Sequence, residues 1–334
     1  MLNYTVRRLA LAVPTLLFIA LVIFLIVTLA PSDPTASLPL TIPPEVKEQI
    51  RQSLGLGEPI PVRFWLWLKQ FVVTEPMYWS NHWFGTEFEV GQRIISWQTR
   101  SPVMDLIAQR MPQTLWVVGT SYIVGILIAV PIGIISATRQ YSWFDQIGTF
   151  VSMIGFSVPT FFTGVLLIVV FSINLGWFPM IYDTTLRVTD MDSFWAQVRQ
   201  MAMPVFVLAL YNAAQISRFM RASMLDNLGQ DYVRTARAKG LVERTVILLH
   251  VLRNSLIPVV TVIALNIPAV FGGALITEQV FQVNGIGHLL IGAIQANDVP
   301  TVQTISVIFA FLIIVFNLIA DVLYGLLDPR IRYD

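Results

Sequence analysis

Apolar residues in this chain fall in long unbroken runs instead of alternating with polar ones. Six charge-free stretches, 9–32, 111–138, 146–182, 200–217, 254–277 and 299–320, stand out. Each is near or above the ~18–20 residues that carry an α-helix across ~30 Å of hydrocarbon. A seventh, 279–297, holds Gln282, Asn284, Gly285, Gly287, His288, Gly292, Gln295 and Asn297. It is too polar and glycine-broken to span, and predicts an external loop with a short interfacial helix. The fold expected is all-α: a polytopic membrane protein with six transmembrane helices. Its parts are an N-terminus and first helix over 1–30, a large external segment over 31–110, and a five-helix core over 111–334. Arg7 and Arg8 precede the first run. That run exceeds a signal-peptide core and shows no small-residue cleavage site before Pro31, so an uncleaved first span is expected.

Composition agrees. Hydrophobic residues make up 55% of the 334 and charged residues 12%, with mean hydropathy +0.69. The charged share is about half that of soluble domains. Basic residues set the orientation. With both termini inside, segments 1–8, 139–145, 218–253 and 321–334 hold 12 of the 21 Lys and Arg in 65 residues. Segments 31–110, 183–199 and 278–298 hold nine in 118 residues, with 13 acids. That bias predicts cytoplasmic N- and C-termini. The absence of cysteine removes disulfides, thiolate metal sites and cysteine nucleophiles.

In the segment 31–110, Pro43-Pro44 followed by Glu45, Val46, Glu48 and Ile50 and ending at Gly55 predicts a short helix. Phe64, Trp65, Trp67, Leu68 and Phe71 form an amphipathic stretch, and Trp79, Trp83, Phe84 and Trp97 add further rings. Two readings stand for them: an aromatic belt at the headgroups, or a surface for an external partner protein. Pro14, Pro131, Pro159, Pro258 and Pro268 lie inside the runs, each freeing a carbonyl that lipid cannot satisfy. Pro159, in Gly155-Phe156-Ser157-Val158-Pro159, and Pro268, near Asn266, are candidates for kinks that line a pathway. An ordinary packing kink is the plainer account of each. No internal repeat is present.

Several chemistries are missing. A phosphate cradle ends in Gly-Lys-Ser/Thr, but Lys47, Lys69 and Lys239 are followed by Glu48, Gln70 and Gly240. His82, His250 and His288 lie in three different segments and make no HExxH pair or metal cluster, and no GxSxG elbow occurs. The runs carry essentially no ionisable residue, with Glu278 and Asp321 at their ends. That scarcity argues against an ion-coupled carrier.

The loop 218–253 carries seven basic and three acidic residues. Val233, Ala236 and Gly240 fall on one helical face, with Arg234, Arg237 and Lys239 around the other side. Val246, Leu249 and Leu252–Arg253 continue a second amphipathic set, and Gly240 lets the chain turn sharply between two short helices. From the residues alone, two readings are equal: a helix docked in a soluble partner, or a basic loop held by anionic headgroups.

A resemblance separates them. YVRTARAKGL, His250, Leu252-Arg253 and Leu256-Ile257-Pro258 resemble the coupling-loop signature of binding-protein-dependent ABC importer permeases, in the dipeptide/oligopeptide/nickel branch. The general signature has Glu-Ala-Ala where this chain has Arg234-Thr235-Ala236, a form common in the peptide branch. MLNYTVRRLALAVPTLL, SLGLGEPIPVRFWLWL, Ser101-Pro102-Val103 with 106–115, GFSVPTFF, LGWFP, ITEQVFQVNGIGHLL and NLIADVLYGLLDPRIRY are similar to the branch in order along the chain. Asn284 stands where Pro is usual, and residues 74–97 look like an insert outside the match.

The resemblance implies a B-type permease subunit pairing with a second homologous permease in a bacterial inner membrane. It also implies two ATPase subunits, a periplasmic or lipid-anchored substrate-binding protein, and no nucleic acid. Arg234, Thr235, Ala236, Arg237, Lys239, Gly240, Leu241 and Glu243 would couple to an ATPase. ATP-Mg would be bound by those partners, leaving no catalytic residue, metal or cofactor in this chain. Ser157, Pro159, Asn266, Glu278 and Asn317 would line the pathway or bond helix to helix. The implied cargo is di- or oligopeptide. Nickel, glutathione, opines or oligosaccharides are alternatives, and a channel or secondary transporter working without an ATPase is the alternative of another class.

Overall fold

The structure is a computed structural model that describes residues 2–29, 43–53, 57–272 and 274–327. Helices α1 (Leu2–Leu29), α2 (Pro44–Ser53), α3 (Ile60–Lys69) and α4 (Glu75–Phe84) come first, the last two joined by a π-helical turn, Gln70–Thr74. Helices α5 (Val103–Thr114) and α6 (Thr120–Thr138) follow, joined by a second π-turn, Leu115–Gly119, and then α7 (Trp143–Ser157) and α8 (Thr160–Leu167). Next come α9 (Met191–Leu228), α10 (Asp231–Ala238), α11 (Glu243–Thr245) and α12 (Leu252–Gly272). The chain closes with α13 (Leu275–Phe281), α14 (Ile286–Gln295) and α15 (Val299–Leu327). Among the described residues no strand forms, and one isolated bridge pairs Ile95 with Pro102.

Among the described residues four helical stretches are long and apolar enough to cross a membrane: Arg7–Leu29, Val103–Thr138, Glu243–Phe271 and Val299–Asp321. The pair Trp143–Ser157 and Thr160–Asn174, bent by 101°, makes a fifth where the two helices count as one broken span. The predicted fourth span, 200–217, lies inside the 38-residue helix α9. Gln200, Asn212 and Gln215 make it less apolar than the others, so length and composition support four or five spans where six were expected.

Other boundaries also move. The run 146–182 is not one straight helix, because Pro159 breaks it. The helix carrying the second span begins at Val103, before the predicted 111, since Asp105 and Arg110 interrupt the apolar run without ending the helix. The fifth run divides at Ala274, and Thr277 falls in α13. The predicted loop 218–253 shrinks to 229–242 and holds the short helix α10, because α9 runs on to Leu228 and α11 starts at Glu243. The short helix near Pro43 forms as α2, while Gly55 lies outside the described residues.

The chain packs as two units, 1–9 with 112–288 and 313–334, and 10–111 with 289–312. In the first, α9 is the central rod. An Asp190–Ser193 capping box starts it, and the Ser193 N–H holds the Asp190 carboxyl below its ordinary range. Helix α6 lies along α9 in the same direction. A Cβ on Gly133 would stand 2.5 Å from the Met220 Cβ, so only glycine permits this approach. Buried Val117, Ala129, Val207, Ala213, Ile216, Met220 and Met224 belong to the core here.

In the second unit, Phe24 of α1 meets Phe64 and Trp67 of α3 at centroid distances of 5.3 and 5.7 Å. Trp67 is thus core, whereas Trp65, Trp83 and Phe84 are exposed. Arg93 bridges Glu75 and Asp105 at 2.9 and 2.8 Å, with its guanidinium 3.6 Å from the Tyr78 ring centre. Asp298 accepts from Ser96 Oγ, the Trp97 N–H and Thr301 Oγ1.

Candidate functional site

The link between α9 and α12 is a small, ordered helix–turn. Gln230 takes an extended conformation (φ −75°, ψ 152°) that ends the α9 direction and starts α10. The Tyr232 hydroxyl donates to Asn227 Oδ1 at 2.7 Å, fixing α10 against the end of α9. Thr235 Oγ1 returns to the Asp231 carbonyl at 3.0 Å. Val233 and Ala236, as their spacing predicts, are buried and share a core cluster with Val246 and Val251 of the π-turn Val246–Val251. Leu249 departs from the expected pattern. The wider π-turn rotates it outward, and it is 64% exposed.

Beyond α10 the chain reverses at Gly240, whose φ is +76°. The Gly240 and Leu241 N–H groups return to the carbonyls of Arg237 and Ala236, capping the helix in the left-handed way that glycine favours. Arg237 spans the turn to Glu243, with Nη2 to Oε1 at 2.7 Å and Nε to Oε2 at 3.1 Å. This contact raises the Arg237 pKa above its ordinary value. The result is one exposed face: Arg234, Thr235, Arg237, Lys239, Gly240, Leu241, Val242 and Glu243. Ala236, predicted with them, faces inward. Positive charge and the apolar side chains of Leu241 and Val242 lie side by side on a rigid knob, which suits insertion into a cleft.

The five residues predicted for a pathway are not gathered in one place. Ser157 and Pro159 flank the α7–α8 break and are exposed. Asn266 donates to the Val262 carbonyl of its own helix at 2.8 Å. Asn317 is exposed on α15. Glu278 is fully buried: it accepts from Thr114 Oγ1 at 3.0 Å and from the His288 N–H at 3.0 Å. Among the described residues no hydrogen bond joins Ser157, Asn266, Glu278 and Asn317 to one another.

Reading by sequence missed two constellations. One is the Thr114–Glu278 pair with the tight turn at Gly285 and Gly287. The spacing of Glu278 before an Asn-Gly-x-Gly turn signals it only weakly. The other joins Asp145 to Arg221, 76 positions apart, which no local pattern reveals.

Among the described residues, an all-helical structure with several apolar spans defines a polytopic membrane component. Comparison with known proteins gives the family. Residues 129–333 match the model of the binding-protein-dependent transport system inner membrane component, and residues 1–118 match the N-terminal model of the same components. The chain belongs to this family, whose members are permease subunits and not enzymes. It is 39% identical to the oligopeptide transport system permease protein AppB of Bacillus subtilis over 337 residues, covering 100% of both chains. It is 37% identical, again over 100% of both, to the glutathione transport system permease protein GsiC of Escherichia coli (strain K12) and of Salmonella typhimurium.

Proposed function

We propose that this chain is one of two permease subunits of an ATP-driven importer that moves short peptides inward across a bacterial inner membrane. Its family membership supports a multi-pass subunit that works with a second permease, ATPases and a binding protein. The observation that carries the reading is the knob at 231–243: a buried Val233–Ala236 face anchors it, and its basic outer face is exposed. In this reading two ATPase subunits bind ATP and Mg²⁺, grip the knob and push it when they close. The chain offers no Gly-Lys-Ser/Thr of its own. The basic excess at the termini and at the knob supports placing all three in the cytoplasm.

A peptide cargo is supported by full-length likeness to a permease named for oligopeptides. Likeness to permeases named for glutathione favours a second reading, in which the cargo is that small peptide thiol. The test is uptake of a labelled tripeptide and of labelled glutathione into proteoliposomes holding both permeases, the ATPases and the binding protein. Uptake that requires every partner and ATP supports the proposal. Uptake by this chain alone would replace it with a channel or carrier.

A further inference from the structure

Helix α7 is fastened to α9 along a matched stripe. Asp145, Ser152 and Gly155 recur on α7 at steps of seven and three residues, so they share one helical face, while Gly148 between them lies against Ser136 and Ile132 of α6. Opposite them, running the other way along α9, lie Arg221, Ser217, Ala214 and Leu210. At one end Arg221 Nε and Nη2 donate to both Asp145 oxygens, at 2.7 and 2.8 Å. In the middle the Ser152 and Ser217 hydroxyls are 3.2 Å apart. At the far end a Cβ on Gly155 would stand 3.2 to 3.4 Å from Leu210 and Ala214, so the helices are in contact there. The stripe stops just before the 101° break at Val158–Pro159.

Its charged end is the one nearest the knob, seven positions before α9 finishes at Leu228. Asp145 is 3% exposed, so its charge has little water and depends on its partners. Those are Arg221, the Tyr141 N–H at 3.0 Å and Thr149. A fork of two parallel hydrogen bonds fixes direction as well as distance, which a single ammonium does not. Pulling α7 away from α9 would strand a buried carboxylate, and that makes joint movement the easier course.

Resting on the importer reading, we infer that Asp145 and Arg221 are positioning residues for energy coupling. They oblige α7, and through it the bent α7–α8 pair, to follow α9 when the knob is pushed. ATP hydrolysis takes place in other subunits, so loss of the pair loosens transport from hydrolysis without stopping hydrolysis.

The experiment measures tripeptide uptake and ATP hydrolysis together in proteoliposomes, using the assembled complex isolated by gel filtration. Wild type, Asp145→Asn, Arg221→Lys and Ser152→Ala are compared. Asp145→Asn is expected to lower peptide moved per ATP by about tenfold, inside the ~5–150-fold range of common coupling energies. Arg221→Lys should give a smaller drop and Ser152→Ala almost none. If Asp145→Asn fails to assemble, Arg221→Lys decides by the same ratio. An unchanged ratio in the deciding variant, or uptake and hydrolysis falling in proportion, overturns the inference. Failure of the wild-type complex to couple uptake to ATP would instead overturn the importer reading.

Discussion

Arg237 and Glu243 face each other across the Gly240 reversal and close it with two hydrogen bonds, 2.7 and 3.1 Å long. Both side chains are about half exposed, at 43% and 55%. Exposed pairs of this kind contribute only about 0–1 kcal/mol. The pair therefore shapes the knob more than it stabilises the fold. Glu243→Gln should leave the thermal midpoint of the purified complex nearly unchanged, with under about 1 kcal/mol lost. ATP-driven uptake should fall several-fold, because the turn is held less firmly. A large loss of thermal stability would show that the pair is structural.

Gly240 gives a cleaner test of the turn. Its φ is +76° and a Cβ there would meet nothing within 4 Å, so only backbone strain opposes a side chain. Gly240→Ala should cost about 1–2 kcal/mol, measured by thermal melting of the complex. Gly240→Pro cannot reach this φ and should abolish uptake while the spans still assemble. Full uptake by the proline variant would remove the turn from the coupling route.

The buried Glu278 makes the next case. A Cβ on Gly285 would lie 2.4 Å from Thr114 Oγ1 and 2.5 Å from Glu278 Oε2. Gly285→Ala should lower stability by about 1–3 kcal/mol through overpacking. Glu278→Leu leaves the Thr114 hydroxyl and the His288 N–H without their acceptor, at about 1–3 kcal/mol each. Glu278→Gln keeps an acceptor oxygen and should cost less. Melting curves in detergent order the three, and a harmless Glu278→Leu would refute the structural role.

Arg93, in the segment that follows α4, joins Glu75 of α4 to Asp105 of α5. The Glu75 side chain is only 3% exposed. Arg93→Ala strands that charge and should cost about 3–5 kcal/mol. Limited proteolysis of residues 85–102 reports it: cleavage should speed up greatly in the variant, and an unchanged rate would show that the network is dispensable.

How much of this was legible beforehand follows from what each feature depends on. Apolar runs mark hydrocarbon depth, so the helical membrane class was plain from them. They do not mark helix ends: Arg218 and Arg221 interrupt the run while α9 continues to Leu228, because Arg221 has Asp145 to pair with. The knob was readable because its signals are local. Val233 and Ala236 bury as their spacing requires, and Gly240 turns as a glycine there should. Leu249 was misplaced because a π-turn shifts the helical phase, which residue spacing alone does not encode. Glu278 was read as a span end. Its partner Thr114 lies 164 positions away, and only the folded chain brings them together.

Contact between the knob and an ATPase is the central claim, and cross-linking tests it most directly. The chain has no cysteine, so Thr235→Cys introduces a single thiol on the exposed face. In the complete complex, a short bifunctional reagent should join this position to the ATPase, with a yield that changes when ATP binds. Glu87→Cys, far along the chain in the segment after α4, should give no such product. Equal yields from both positions, or none from Thr235→Cys in a complex that still transports, would contradict the account.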